Sequence, residues 1–319
     1  MYYIDEKNFE EYEIDWSTAI STIEESVKIY SEGDYSQPVK PYLRYRDLNN
    51  RIIAMPAFIG GQHDISGIKW IASFPNNIDR GLPRAHSVVV LNESSTGVPL
   101  CIINTPKLSI VRTSSVSGLL VQKYLESLKK GKVKVGITGF GPIGQHHLLM
   151  LEEMFSSRIE SYKIFDLRKI ELPGYVENKA KICGSWEECY TESDIFITCT
   201  VSKERYINLD PKPGSLQLNV SLRDYMPSIY DSVKDSIIVD NWDEICRENT
   251  DIEYMHKKCG LSEDEVYTIE DIVNKDVMSN FVSRSNTIMF NPMGMAIFDM
   301  SIAKFIWETF SSEGVGKKL

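Results

Sequence analysis

Residues 139–144 read Gly-Phe-Gly-Pro-Ile-Gly, and their flanks narrow the fold more than any other part of the chain. Val133, Val135 and Ile137 alternate before the segment as a strand would. After it, Ile143, His147, Leu151, Met154 and Phe155 share one face of a helix. Strand, glycine-rich turn and helix in that order make a phosphate-binding loop. Gly139 permits the tight turn, Gly141 lets a pyrophosphate approach the backbone, and Gly144 lets helix and strand pack closely. The helix N-terminus adds unpaired N–H groups and a positive dipole end. Asp166 ends the next strand, 22 residues past Gly144. A carboxylate there accepts ribose hydroxyls and repels a 2′-phosphate, which favours NAD over NADP, with Arg168 and Lys169 as neighbouring counterweights.

Strands and helices alternate from about residue 113 onward. Thr113–Leu128 reads as a helix, and Val133–Thr138, Tyr162–Phe165, Ile195–Thr200, Ser215–Val220 and Ile237–Val239 read as short apolar strands. This alternation implies a parallel sheet covered on both faces. Before residue 113 the pattern differs. A helix around Trp16–Tyr30 stops at Gly33-Asp34. Strand-like runs follow at Val39–Tyr45, Arg51–Met55, Ile65–Ala72, Ser87–Leu91 and Pro99–Asn104, the last two flanking a polar turn. A length of 319 residues accommodates two domains. The expected class is α/β: a dinucleotide-binding domain over 113–291, and an α+β domain over 1–112 to which the last helix, in 292–319, returns.

The formal charge of −10 argues against broad nucleic-acid affinity, which rests on many Lys and Arg contacts to phosphate. No apolar run reaches the roughly 20 residues of a membrane helix, and the N-terminus lacks an apolar signal core. Six scattered cysteines form no Cys-x-x-Cys pair, so reduced thiols in a cytoplasmic protein, without metal, are expected.

Within Ile65–Ile71, Lys69 shares a strand face with Ile65, Gly67 and Ile71. An ammonium there needs an anionic partner, either a ligand carboxylate or an internal Asp or Glu. Arg44, Arg84 and Arg112 carry guanidiniums suited to bidentate carboxylate binding. Asp224 follows a strand end, where ligands of open α/β sheets bind, and is a candidate acid or base. Of the histidines, His147 lies on the packing face of the loop helix, and His63 follows a Gly60-Gly61-Gln62 turn.

These residues resemble the ornithine cyclodeaminase/μ-crystallin family. The resemblance covers most of the chain. It includes Ser66-Gly67-Ile68-Lys69-Trp70, Val111-Arg112-Thr113-Ser114, the glycine loop, Asp166, Asp224 and Asn291-Pro292-Met293-Gly294-Met295-Ala296. Longer phrases point to the branch that makes 2,3-diaminopropionate for siderophores and peptide antibiotics: Gln37–Arg44, Arg51–Pro56, Gly60-Gly61 and Ile197–Val201.

The resemblance implies a Rossmann-type NAD domain, a substrate domain that dimerises through its sheet, and an active site in the cleft between them. It also implies oxidation of N-(2-amino-2-carboxyethyl)-L-glutamate, followed by hydrolysis to 2-oxoglutarate and L-2,3-diaminopropionate. Lys69 and Arg112 would hold the α-carboxylate, with Lys40, Arg44 and Arg84 as further cations for a substrate bearing three carboxylates. Asp224 would take the amine proton and activate water. The implied cofactor contacts are Thr113, Gly139, Phe140, Gly141, Pro142, Ile143, Gly144, Asp166, Thr198, Cys199, Thr200, Ser221, Asn291, Met293 and Gly294. A pyridoxal-phosphate enzyme would supply the conjugate.

Three departures accompany the resemblance. Ser228 stands where cyclodeaminases carry a Lys, which counts against ornithine cyclisation. Phe298-Asp299 replaces the usual Glu-Asp pair. The segment from Asp166 to Ile195 is shorter by about one helix, with a Pro173-Gly174 turn, which implies a more open adenine side.

Overall fold

The computed structural model describes residues 1–128 and 131–319. It divides into two compact units, Met1–Ser115 with Gly294–Leu319, and Val116–Met293. The divisions fall a few residues beyond 112 and 291. Helix Lys107–Ser127 runs unbroken through the first of them, so no change of periodicity marks it. That helix also begins earlier than Thr113 and takes Arg112 into its body.

In the first unit, strands Pro99–Asn104, Ala85–Glu93, Ile65–Ser73 and Arg51–Ile59 form an antiparallel meander. Tyr2–Asp5, which periodicity missed, adds in parallel beside Pro99–Asn104. The expected strand Val39–Tyr45 shrinks to Tyr42–Leu43. Pro38 and Pro41 lack the N–H groups that a longer ladder needs. Helix Trp16–Glu32 is capped by the Asp15 carboxylate and ends at left-handed Gly33. It packs on the final helix, Ala296–Ser312, which lies on the meander. Trp16, Ile20, Ile23, Ile297 and Phe310 are among the buried side chains.

The second unit is a parallel sheet in the order Ala180–Ile182, Ile159–Phe165, Val133–Thr138, Ile195–Thr198, Leu216–Leu218, Ile288–Asn291, Ile237–Val239, Tyr267–Thr268. The strands near Thr200 and Ser215–Val220 are shorter than their apolar runs, because their ends turn into the loops of the site. Among the described residues, the link from Phe165 to Ala180 holds only the short turn Gly174–Val176 and no α-helix.

Candidate active site

In the second unit, the glycine loop connects Val133–Thr138 to helix Pro142–Phe155, whose N-cap is Gly141. Gly139 has φ +87°, and a Cβ there would lie 2.5 Å from the Cys199 carbonyl oxygen. A Cβ on Gly144 would lie 2.2 Å from the Gly139 carbonyl, so both positions exclude larger residues. Above Gly141 the space is open, with the Arg168 guanidinium nearest at 3.8 Å. The loop, the helix end and this opening fit a dinucleotide pyrophosphate. Pro142 at the first helical position costs no hydrogen bond, since its missing N–H would have had no partner.

Asp166 holds the loop from the neighbouring strand by accepting the Phe140 N–H at 2.7 Å. Arg168 grips the same carboxylate, with Nε and Nη2 each 3.0 Å away. Burial alone would raise the Asp166 pKa. The hydrogen bonds from Arg168 and Phe140, and the Arg168 charge, outweigh it and hold the carboxyl at about 2. His147 bridges the Ile143 carbonyl and Ser117 Oγ, each at 2.8 Å. Burial brings it down to about 4, so it is a neutral packing residue.

Asp224 lies in the loop after Leu216–Leu218 and is fully buried. The hydroxyls of Thr200 and Ser221 donate to its two oxygens. Burial raises its pKa above the usual carboxylate value, and those donors only partly offset this. The loop is bent at Leu222, which has φ +67° and whose N–H bonds Asn219 Oδ1 at 3.0 Å. Beneath it, Asp251 accepts the Asp224 N–H at 3.1 Å and the Arg205 Nε–H at 2.7 Å. Asn219 ties Asp251 to Asn291, at 3.0 and 2.8 Å. Burial, more than any charge, brings Asp251 to about 6. Thr198 turns its hydroxyl to Asn219, and Met293 donates its N–H to Asp240. The side chains of Thr198 and Asn291 thus brace the loop, while Thr200 and Ser221 face Asp224.

The first unit answers the question posed by Lys69. Its ammonium, 1% exposed, lies 2.7 Å from Asp299 Oδ2, and Arg112 Nε lies 3.0 Å from the other oxygen. The partner is internal, and two cations share one carboxylate. Burial lowers Lys69 to about 8; Asp299 opposes that shift, whereas Arg112 and the buried Lys40 add to it. Burial would raise Asp299, but Arg112 and Lys69 hold it below the ordinary value. Gly294 (φ +87°) gives Arg112 its room, since a Cβ there would lie 2.5 Å from Nη1. Thr113 spends its hydroxyl on the Ser109 carbonyl at 2.8 Å. Arg44 and Arg84 do not join this cluster through any of these bonds; they lie toward the sheet end that carries Arg51.

Sequence reasoning missed Asp299 as the counter-ion and Asp251, Asn219 and Arg205 as the brace. Asp299 had a signal, as the one charged residue in the apolar run Ala296–Ala303. Asp251 opens a helix behind the Thr250 cap and so reads as an ordinary helix start. Among the described residues, no group of three or more His, Cys, Asp or Glu could hold a metal ion, and no helix is long and apolar enough to cross a membrane.

Comparison with known proteins adds to this geometry. The chain is 31% identical, over 94% of its length and 92% of the relative's, to N-((2S)-2-amino-2-carboxyethyl)-L-glutamate dehydrogenase of Staphylococcus aureus. It is 25% identical to alanine dehydrogenase of Archaeoglobus fulgidus, over 96% of this chain and 94% of that one. Its fold matches the Thermococcus litoralis Δ1-pyrroline-2-carboxylate reductase in complex with NADH and L-proline. The TM-score is 0.82 at 21% identity, with both chains wholly covered. The model of the ornithine cyclodeaminase/mu-crystallin family matches residues 5–314, through both the ion cluster and the glycine loop, and the chain belongs to that family.

Proposed function

We propose that this chain is an NAD-dependent oxidoreductase that oxidises N-(2-amino-2-carboxyethyl)-L-glutamate. The similarity to the Staphylococcus aureus dehydrogenase along 94% of the chain carries this reading, and the side-chain chemistry agrees with it. The glutamate Cα–H bond and the amine N–H bond break, giving a C=N bond. Water then adds, and the C–N bond breaks to release 2-oxoglutarate and L-2,3-diaminopropionate.

The glycine loop would hold NAD, with Asp166 toward its ribose, and the bound nicotinamide would supply the hydride acceptor. Lys69 and Arg112 hold the α-carboxylate: with Asp299 as their shared counter-ion they keep one surplus positive charge. Asp224 accepts the amine proton at a carboxylate oxygen. Its raised pKa suits a group that must both take and return a proton. Its negative charge stabilises the cationic iminium and then orients water against it. Ser221 and Thr200 keep both oxygens aimed. The enzyme acts as a homodimer formed through the first unit's sheet, and a pyridoxal-phosphate enzyme makes the conjugate.

The test is NADH formation at 340 nm with the conjugate, with L-ornithine, L-glutamate and L-alanine in parallel. NADH with stoichiometric 2-oxoglutarate from the conjugate alone is expected. Turnover of L-alanine or L-ornithine instead would overturn the substrate assignment.

A further inference from the structure

The register of the first unit's sheet orders its polar residues along one face. Met55, Lys69 and Val89 stand in one cross-strand row. Ile53, Ile71 and Ser87 form the next, and Arg51, Ser73 and Ala85 the one after. Paired residues two apart share a face, so Lys69, Ser87 and Arg51 project on the same side. At about 3.3 Å per residue, the Lys69 and Arg51 rows are roughly 13 Å apart, with Ser87 midway.

Three features of this face are unexplained by the Lys69–Asp299–Arg112 cluster. Ser87 is 2% exposed, and its hydroxyl has no hydrogen-bond partner among the described residues. Arginines crowd the open end. Arg51 and Arg44 both stack on the Tyr42 ring, at 5.7 and 5.4 Å from its centroid. Arg84 lies in the bend just before strand Ala85–Glu93, one step past the Ser73–Ala85 pair, where its carbonyl accepts the Phe74 N–H and strand alternation no longer sets the side its chain takes. It is exposed, and partial desolvation, then the charge of Arg51, lower its pKa, so the two guanidiniums lie within electrostatic reach of each other. Guanidiniums gathered beside one another at a solvent-facing end are a site for an anion.

We propose that Arg51 and Arg84, with Ser87 between them and Lys69, form a second anion subsite that takes a carboxylate remote from the reacting carbon. This rests on the oxidoreductase reading above and deepens it. The face is built for an elongated amino-acid conjugate with carboxylates at both ends, and a monocarboxylate such as alanine leaves half of it unused. Tyr42 positions the Arg51 guanidinium from behind. The Ser87 hydroxyl donates to the same ligand.

Arg51→Gln, Arg84→Gln and the double variant test this, by steady-state kinetics with N-(2-amino-2-carboxyethyl)-L-glutamate. Each single change is expected to raise KM about tenfold, the double variant more, with a much smaller fall in kcat. Arg→Lys at either position should recover part of the affinity, which a loss of folding would not allow. Ser87→Ala should raise KM by a smaller factor. A KM within twofold of wild type in the double variant overturns the subsite. Failure of the wild-type chain to oxidise the conjugate would instead reject the reaction, and calorimetry with glutarate then decides the subsite alone. Glutarate binding by wild type that is lost in the double variant supports it. Equal binding by both, or none by wild type, overturns it.

Discussion

Asp224 and Asp299 are both fully buried carboxylates, one in each unit, and their surroundings drive them in opposite directions. Asp299 faces two cations, and its pKa falls below the ordinary value. Asp224 is held by the hydroxyls of Thr200 and Ser221, and its pKa rises. Burial penalises both alike, so the partner decides the outcome. A hydroxyl positions a carboxylate without neutralising it, which leaves a group able to exchange a proton. A cation pair fixes the charge permanently, which leaves a counter-ion that organises other residues. Asp251 stands between these cases. It is buried and bonded by Arg205 and by amides, and it reaches about 6.

The sharpest way to break this comparison is to replace each carboxylate by its amide. Asp224→Asn should lower turnover by about 10²–10⁴-fold while NAD binding persists, since only the proton acceptor is lost. Asp299→Asn should act on stability first. It leaves Lys69 and Arg112 buried without their anion, at a cost of about 3–5 kcal/mol, read from the midpoint of urea unfolding. A stable Asp299→Asn protein, or an active Asp224→Asn enzyme, would show that the two wirings had been misassigned.

Their pH dependences should also oppose. An unfolded Asp titrates near 3.9. Asp224, raised in the folded state, favours folding below that value, and this contribution is lost as pH climbs through its folded pKa. Asp299, lowered, contributes above roughly pH 4 and loses its contribution as pH falls through its folded pKa. Asp224→Asn should therefore gain stability on wild type as pH rises above about 4, whereas the deficit of Asp299→Asn should shrink below about pH 4. Slopes of the same sign would break the comparison. On the alkaline side, Lys69 deprotonates near 8, so kcat/KM should fall as pH rises through that value, whereas kcat should hold further, because bound carboxylate favours the charged ammonium.

The two regions were unequally legible in the sequence. The glycine loop is local: Val133 to Phe155 carries strand, turn and helix in one stretch, and the fold places them as periodicity implies. Asp166 belongs to that local grammar too, although its bidentate grip on Arg168 does not. The Lys69 cluster is non-local. Its counter-ion lies 230 residues away on the final helix, and no spacing rule links them. The sequence could state that Lys69 needs an anion but could not name it. The Asp251 brace was hidden for another reason: an Asp behind a capping Thr has an ordinary local explanation, which masks its contact with the Asp224 loop. Arg51 opens a strand, and only the register brings it onto the Lys69 face.

The smallest change sharpens the comparison most closely. Ser221→Ala removes one hydroxyl from the charged form of Asp224 and leaves Thr200 in place. The lost donor had opposed the effect of burial, so the Asp224 pKa should rise further and the acid limb of the rate profile should move toward neutrality. At the optimum, turnover should fall by less than about tenfold, the loss of roughly one hydrogen bond to a charged group. Among the described residues Asp299 is bonded by Lys69 and Arg112 and by no hydroxyl, so the stability slope assigned to it should stay where it is. If Ser221→Ala shifted the acid limb downward instead, the hydroxyl would have been stabilising the protonated form, and Asp224 would enter the reaction as the acid rather than the base.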